Sequence, residues 1–178
     1  FLTNQPGQSL LDRLATILKE DTRLFDCLVG YFYISGFFKL APHLEKVEKV
    51  RILVGLRTDA GALKLLQAVE GATEFNFQSH AQIKETYPRL VVKELEGTDD
   101  QPPVETGVRQ FIEWVRAGKL EVRVYPSAPL HAKIYIMTFH DGDRDKGRII
   151  TGSSNLTQGG LVSNLEFNVE LKTRADYE

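Results

Sequence analysis

The chain has 178 residues and a net charge of −2; 42% of its residues are hydrophobic and 26% are charged, as in an ordinary water-soluble protein. No apolar run is long enough to span a bilayer, so we expect no membrane segment, and the slightly acidic balance argues against a surface that is basic throughout. The single cysteine, Cys27, cannot form an internal disulfide, which favours a reducing compartment and a cytoplasmic location.

The length predicts a single domain over residues 1–178. Because the chain starts at Phe1 rather than at a methionine, we expect it to be a segment of a longer protein. Apolar spacing and capping residues in its first half predict helices and strands in alternation. The predicted elements are a helix from Ser9 carrying Leu10, Leu11, Leu14, Ile17 and Leu18 on one face, a strand Leu24–Ile34, a helix Phe37–Val47, a strand Arg51–Leu56 and a helix Ala60–Val69.

The second half predicts a surface loop and then a region rich in strands. Glu96–Thr106 contains two Asp and two Pro residues and has little to bury, so it is the predicted loop. Around it we expect a helix at Gln78–Leu95, an amphipathic helix carrying Val104, Val108, Phe111, Ile112 and Val115 and ending near Gly118, a strand Leu120–Tyr125, a turn Pro126–Pro129, strands Lys133–Phe139 and Gly147–Gly152 joined by a polar turn, a turn or short helix Leu156–Gly160, and a strand Glu166–Lys172. This order predicts an α/β fold, a layered α-β-α sandwich with a mixed, largely parallel sheet.

Polar side chains gather at the ends of the two joined strands. Side chains two residues apart on a strand share a face, so His131 and Lys133 project to the same side at the start of the first strand. Ser153 and Asn155 have the same spacing just past the end of the second strand. Such a set suits a phosphate group, because it offers a nucleophile or acid, a fixed positive charge and two neutral hydrogen-bonding groups.

The order of these residues resembles the phospholipase D superfamily, whose motif is His-x-Lys-x4-Asp followed by Gly-Ser-x-Asn. The matching positions are His131, Lys133, Gly152, Ser153 and Asn155. Thr138 stands where the family has its Asp, which weakens an assignment to the lipid-cleaving branch. Nuclease-type members often carry a Glu shortly after the Asn, and Glu166 fits that place. The resemblance implies a phospholipase D-like fold.

The resemblance also implies a mechanism that uses two histidines. One attacks phosphorus and forms a covalent phosphohistidine, and the other protonates the leaving oxygen and then activates water. His131 is the implied nucleophile, Lys133 neutralises the phosphate oxygens, and Asn155 donates a hydrogen bond to one of them. Ser153 is expected to bind phosphate or hold the family glutamate, and it can equally cap the segment that follows it.

Glu166 is expected to accept a hydrogen bond from the second ring nitrogen of His131 and so fix the tautomer of the imidazole. Glu170, on the same face of the predicted last strand, is the alternative carboxylate.

The chain carries one His-x-Lys pair, because His43, His80 and His140 lack the lysine partner. Single-motif members of the family bring two copies of the motif into a shared site, so we expect a homodimer. A second motif in another part of a longer polypeptide is the alternative.

These residues predict a metal-independent phosphodiesterase without a cofactor, because His131 and Lys133 supply the proton and the positive charge. Leu28–Phe38 and Ile52–Asp59 resemble phospholipase D-like modules of bacterial helicases or restriction enzymes, so the expected substrate is DNA and the expected activity is that of an endonuclease. A fused helicase or target-recognition region is a possible partner. The candidate substrate-binding residues are Arg144, Lys146 and Arg148. The alternatives are a non-catalytic nucleic-acid-binding or dimerisation module and a lipid phosphodiesterase.

Overall fold

The computed structural model describes residues 1–20, 22–58, 104–125, 130–172 and 175. The helices predicted at Ala60–Val69 and Gln78–Leu95, the turn Pro126–Pro129 and residues 96–103 of the predicted loop lie outside these ranges. Residues 104–106, which were also assigned to that loop, belong to a helix. The loop prediction is therefore wrong at its last three residues, where the apolar spacing that starts at Val104 already favours a helix.

The described strands form one six-stranded sheet in the order β3-β2-β1-β4-β5-β6. Their bounds are β1 Thr22–Phe32, β2 Lys49–Thr58, β3 Leu120–Val124, β4 Lys133–Phe139, β5 Gly147–Gly152 and β6 Asn168–Leu171. The pairs β3–β2 and β2–β1 are parallel, whereas β1–β4, β4–β5 and β5–β6 are antiparallel. The predicted α/β class and mixed sheet are confirmed, but the sheet is not largely parallel. In its second half, a short turn joins β4 to β5, which is typical of an antiparallel pair, and the longer connection from β5 to β6 contains no α-helix.

In the described ranges, three α-helices accompany this sheet: α1 Leu10–Glu20, α2 Ile34–Leu40 and α3 Val104–Arg116. The predicted cap of α1 is present, since the Asp12 amide donates to Ser9 Oγ at 3.0 Å and Ser9 Oγ donates to Asp12 Oδ2 at 2.6 Å. The bond from the Asp12 amide satisfies a free amide of the first helical turn, as Ser caps do, and the bond from the Ser9 hydroxyl holds the two side chains together. The sequence therefore predicted both the start and the buried face of α1 correctly.

The helix predicted at Phe37–Val47 is displaced. It begins at Ile34 and ends at Leu40, and a 3₁₀ turn, Ala41–His43, follows it. Pro42 accounts for the early end, because proline lacks an amide hydrogen and its ring clashes with the preceding turn of an α-helix. Two other boundaries differ: the segment after Asn155 forms a π-helical turn at Gly159–Ser163, and β6 starts at Asn168, so Glu166 precedes the last strand.

The core lies between the helices and one face of the sheet. Alternate residues of β4 are buried, which places Tyr135, Met137 and Phe139 in the core on the same face as Lys133. The ring of Phe37 in α2 packs edge-on against Phe111 of α3 at a centroid distance of 5.1 Å. The scaffold behind β4 is thus rigidly packed, and it fixes the strand from which His131 and Lys133 project.

Candidate active site

The predicted site residues lie at one edge of the sheet. β1 ends at this edge, β4 begins here, β5 ends here and β6 begins here, as the antiparallel registers Ile134↔Thr151 and Gly152↔Asn168 require. His131 and Lys133 are at the start of β4, Ser153 and Asn155 follow β5, and Glu166 precedes β6. Strands Lys133–Phe139 and Gly147–Gly152 have the bounds predicted from the sequence.

His131 and Lys133 contact each other directly. Lys133 Nζ lies 3.0 Å from His131 Nε2 and donates to the His131 carbonyl at 3.2 Å. An ammonium group has only donors, so Nε2 is the acceptor and the lone pair of that nitrogen faces Lys133. The imidazole itself is exposed. A phosphate that attracts the Lys133 ammonium would be brought beside Nε2, and the Nε2 lone pair would become free to attack phosphorus once the ammonium turns to the phosphate oxygens.

Lys133 is a buried cation, with only 7% of its surface exposed. Burial lowers the pKa of Lys133, because it disfavours the charged form, and the negative charge of Glu166 opposes this effect. Glu166 is half-buried. A positive charge held in a poorly solvated position interacts with an anion more strongly than a solvated lysine does, so Lys133 is well placed to neutralise phosphate oxygens.

The side chain of Asn155 is oriented by the end of β1. Its Oδ1 accepts a hydrogen bond from the Tyr31 amide at 2.9 Å. A backbone amide can only donate, so the oxygen of the carboxamide faces β1 and the Nδ2 group points elsewhere. Asn155 therefore keeps a donor, the group that a phosphate oxygen requires.

Ser153 and Glu166 are joined by a short hydrogen bond from Ser153 Oγ to Glu166 Oε2. Ser153 Oγ also accepts from the Phe167 amide at 3.0 Å, and the Ser153 amide donates to the Phe167 carbonyl at 3.1 Å. In the described part of the chain, no hydrogen bond joins Glu166 to His131. The structure thus places Glu166 next to Ser153 and close enough to influence Lys133, whereas its role as the partner of the imidazole stays a prediction.

Glu170, the alternative carboxylate, belongs to an ion-pair cluster away from His131. Arg13 of α1 donates to both of its oxygens, at 2.7 and 2.8 Å, and Arg148 and Lys172 lie at 3.7 Å. Burial alone would raise the pKa of Glu170, but the hydrogen bonds and charges of Arg13, with the charges of Lys172 and Arg148, outweigh it and lower the pKa. Glu170 therefore ties α1 to β6.

We expect Glu170→Gln to lower the free energy of unfolding by about 1.5–3 kcal/mol at neutral pH, because a charged, two-point hydrogen bond to Arg13 is lost. Since the pKa of Glu170 is depressed in the folded protein, its contribution is present above the pKa of an unfolded glutamate and is lost as the pH falls through the folded value. Urea denaturation at neutral and acidic pH measures both effects, and the difference from the wild type should shrink at acidic pH. Glu113→Gln, on the exposed side of α3, is the matched control. Equal stability of Glu170→Gln and wild type at neutral pH would contradict the assignment.

The candidate substrate-binding residues Arg144, Lys146 and Arg148 are not brought to this edge. Thr138 pairs with Gly147, five residues along β4 from Lys133, so the β4–β5 turn is roughly 16 Å from the site. Arg148 is also paired with Asp145 at 2.5 Å. Thr138, which replaces the family Asp, lies at the same remote end of the hairpin. A substrate contact by these three cations stays a prediction, and it requires a ligand that reaches the opposite end of the sheet.

Sequence reasoning missed a buried polar network beneath the Gly-Ser-x-Asn loop. Asn168 Nδ2 donates to Ser154 Oγ at 2.9 Å, the Ser154 amide donates to Asn168 Oδ1 at 3.3 Å, and the Tyr135 hydroxyl donates to the Ser154 carbonyl at 3.0 Å. Ser154, Asn168 and Tyr135 are fully buried. The network therefore fixes the backbone between Ser153 and Asn155. In the sequence, the only signal of this network is that two small polar residues, Ser154 and Asn168, stand beside apolar strands.

Asn168→Ala is expected to destabilise the protein by about 1–3 kcal/mol, because it leaves the buried Ser154 amide and hydroxyl without their partner. Urea denaturation monitored by fluorescence or circular dichroism measures this loss. Asn164→Ala is a suitable comparison, since Asn164 is exposed, and it should change stability by less than about 0.5 kcal/mol. Should both variants unfold at the same urea concentration as the wild type, the network does not stabilise the loop.

Gly55 allows the segment before His131 to approach β2. A Cβ atom at Gly55 would lie 2.1 Å from the Leu130 carbonyl oxygen, a distance that no side chain can occupy. The Leu130 amide in turn donates to the Gly55 carbonyl at 3.4 Å. A glycine inside a strand is typical of a place where another backbone passes closely. Gly55 thus helps to position His131 from the neighbouring half of the sheet.

A family model described as "Cardiolipin synthase, PLD-like domain" matches residues 41–178, more than three quarters of the chain. Among solved structures, NucT from Helicobacter pylori aligns with a TM-score of 0.45 and 12% sequence identity, over 94% of this chain and 80% of that chain. No curated protein matches the sequence.

No helix in the described residues has both the length and the apolar character that crossing a bilayer requires. Within the same ranges, no group of three or more His, Cys, Asp or Glu side chains is arranged to hold a metal ion.

Proposed function

The chain belongs to the phospholipase D-like family, and from this premise we propose that it is a metal-independent nuclease that acts through a covalent phosphohistidine. Membership of the family supports phosphodiester hydrolysis in general. The observation that carries the finer proposal is the contact between His131 Nε2 and Lys133 Nζ, which pairs a nucleophilic lone pair with a buried cation. Neither group needs a metal ion to be activated in this way.

In the proposed first step, Lys133 and the Nδ2 group of Asn155 bind the non-bridging oxygens of the phosphodiester. The lone pair on His131 Nε2 attacks phosphorus and forms a P–N bond, while the P–O bond to the leaving group breaks. A second imidazole, in its protonated form, gives its proton to the departing oxygen. Lys133 offsets the negative charge that develops on the phosphoryl oxygens.

In the second step, the second imidazole removes a proton from water, and the resulting hydroxide attacks phosphorus. The P–N bond breaks, so His131 recovers its lone pair and the product leaves as a phosphate monoester. The second imidazole is then protonated again, ready for the next cycle. Dividing one difficult displacement into two easier ones is the gain that covalent catalysis provides.

We propose that the second imidazole is His131 of a second copy of the chain. Among the histidines that the structure describes, His43 lies in the 3₁₀ turn after α2, and His140 lies in the β4–β5 turn at the far end of the hairpin. Neither is close to the edge that carries His131. A two-fold dimer supplies an identical histidine from the same surface patch, so one symmetric contact completes the site.

DNA is the proposed substrate, and this part of the proposal follows from the resemblance to the nuclease branch, with Glu166 in place beside Ser153. The proposed setting is a module of a cytoplasmic helicase or restriction enzyme, in which a fused region selects the target. A non-catalytic nucleic-acid-binding module would keep the same fold and the same loop, but it would have no need of an exposed imidazole paired with Lys133.

The test is a hydrolysis assay with purified protein in excess EDTA. The substrates are single-stranded DNA, duplex DNA, RNA, bis(p-nitrophenyl) phosphate and vesicles of phosphatidylcholine. We expect that at least one of the nucleic acids is cleaved and that EDTA does not change the rate of cleavage. Hydrolysis of the lipid alone would refute the nuclease assignment, and binding of DNA without cleavage of any diester would favour the non-catalytic module.

A further inference from the structure

Exposed aromatic side chains flank the loop of the candidate active site. The large hydrophobic side chains that are exposed in the described ranges are Phe1, Tyr33, Tyr125, Val162, Leu165 and Phe167. Tyr33 follows the end of β1, Tyr125 follows the end of β3, and Phe1 and Phe167 lie beside the start of β6, so these four are at the sheet edge that carries His131. All four have aromatic rings. An exposed apolar surface that is concentrated around one site, rather than scattered, indicates a binding surface.

Two of these aromatic residues are hydrogen-bonded through their backbones to the Gly-Ser-x-Asn loop, one at each end of it. Phe167, which is 54% exposed, is bound through its backbone to Ser153 at the first end of the loop. Tyr33, which is 37% exposed, donates its amide to the Leu156 carbonyl at 3.0 Å, at the second end. Both backbones are thus fixed relative to the phosphate-binding groups, whereas the rings face solvent. Phe1 packs on Phe167 at a centroid distance of 4.6 Å and supports that ring.

The distance between the chain positions of Tyr33 and Phe167 indicates which form of nucleic acid can contact both rings. Tyr33 follows β1 and Phe167 precedes β6, so three strand spacings, or about 14 Å, separate the two chain positions, and β4 with His131 lies between them. Successive bases of a duplex are stacked about 3.4 Å apart and paired, which hides their faces. Only an extended strand with unpaired bases can place one base on each ring while its phosphate lies at His131.

We propose that Tyr33 and Phe167 bind unpaired bases on the two sides of the scissile phosphate, so that the substrate is single-stranded nucleic acid. This inference rests on the proposed function, because it takes the His131 edge as the phosphate site. Stacking of bases on aromatic rings is independent of sequence, since every base has a flat face, and it suits a site in which the described residues offer few cations beside Lys133. The ligand that the edge fits therefore combines a phosphodiester with flat rings.

The experiment measures binding and hydrolysis separately. Binding is measured on the His131→Ala protein by fluorescence anisotropy, with a labelled single strand and with the same strand annealed to its complement. Adding Phe167→Ala or Tyr33→Ala should weaken binding of the single strand roughly 5- to 100-fold each, with little change for the duplex. Phe167→Tyr should keep the affinity, because it keeps the ring. Leu165→Ala is the matched control: Leu165 is 83% exposed and lies two residues from Phe167, but it has no ring, so its loss should leave binding unchanged.

The maximal rate of hydrolysis at saturating methyl p-nitrophenyl phosphate, a diester whose single ring is its leaving group, is measured on the Phe167→Ala and Tyr33→Ala proteins with His131 intact. At saturation a loss of substrate binding does not lower the rate, so this measurement separates the two proposals. If this small diester is hydrolysed at the wild-type rate while single-stranded DNA is lost as a substrate, the inference is supported. If the single strand and the duplex bind equally, or if Leu165→Ala weakens binding as much as Phe167→Ala, the inference is refuted although the proposed function stands. Loss of dimerisation in Phe167→Ala, or binding of wild type to phosphatidylcholine vesicles through these rings, refutes it as well. A wild type that hydrolyses no diester refutes the proposed function instead.

Discussion

Replacing His131 with alanine is expected to lower the rate of phosphodiester hydrolysis by about a thousand-fold or more. The variant removes the nitrogen that forms the bond to phosphorus, and no other group in the described site can take its place. Because the imidazole is exposed, the fold should be unaffected. Steady-state rates with bis(p-nitrophenyl) phosphate measure the loss, and urea denaturation verifies that the variant is folded.

His43→Ala and His140→Ala are the matched controls for this prediction. Each removes one imidazole from a part of the structure away from the Lys133 edge, so both proteins should retain the wild-type rate. An unchanged rate in His131→Ala would show that this residue is not the nucleophile. A large loss in His140→Ala would show that the turn between β4 and β5 takes part in the reaction.

The second large effect concerns the proposed dimer. A heterodimer with one wild-type chain and one His131→Ala chain should lose nearly all activity, because the nucleophile and the general acid of a shared site come from different chains. Co-expression of two differently tagged chains and successive purification on both tags gives this species. Its rate is compared with that of the wild-type homodimer at equal concentration, after sedimentation has verified that both are dimers.

A heterodimer that pairs the wild-type chain with a His140→Ala chain controls for tagging and co-purification, and it should be fully active. About half of the wild-type rate in the His131 heterodimer would mean that each chain is an independent site. A wild-type protein that is active as a monomer would contradict the shared site directly.

The strands around the motif could be predicted from sequence because the patterns that define them involve residues close together in the chain. Mostly apolar residues follow Lys133 and predict β4, and in the structure the buried positions of this strand alternate, with Lys133 in one of them. A polar residue in such a position indicates function, since burying a charge costs free energy that packing alone does not return. The cap at Ser9 and the apolar face of α1 are equally local, and both were predicted correctly.

Features that depend on pairing between distant segments could not be predicted in this way. The register between β5 and β6 decides that Asn168 meets Ser154 and that Glu166 meets Ser153, and neither contact leaves a pattern in the sequence. The length of the β4–β5 hairpin places Arg148 far from Lys133, although both belong to the same pair of strands. Proximity in sequence made Arg148 a candidate substrate-binding residue, and that role stays a prediction.

The share of parallel strand pairs in the sheet was overestimated for a related reason. Strand, helix and strand in succession correctly predicted that β1 and β2 are parallel. The same pattern says nothing about which side of β1 the later strands join, and β4 adds to the free side in the antiparallel direction. That choice creates the edge that carries the candidate active site, because it places the start of β4 beside the end of β1.

The most direct test of the proposed mechanism is a mass spectrum of the protein during a single turnover of bis(p-nitrophenyl) phosphate. The reaction contains EDTA and is quenched without acid. The mechanism predicts an adduct on His131 that retains the phosphoryl group and one of the two ester groups, forming before the final product and absent in His131→Ala. Product that accumulates at every quench time without any adduct on His131, or an adduct on a different residue, would contradict a covalent phosphohistidine at this site.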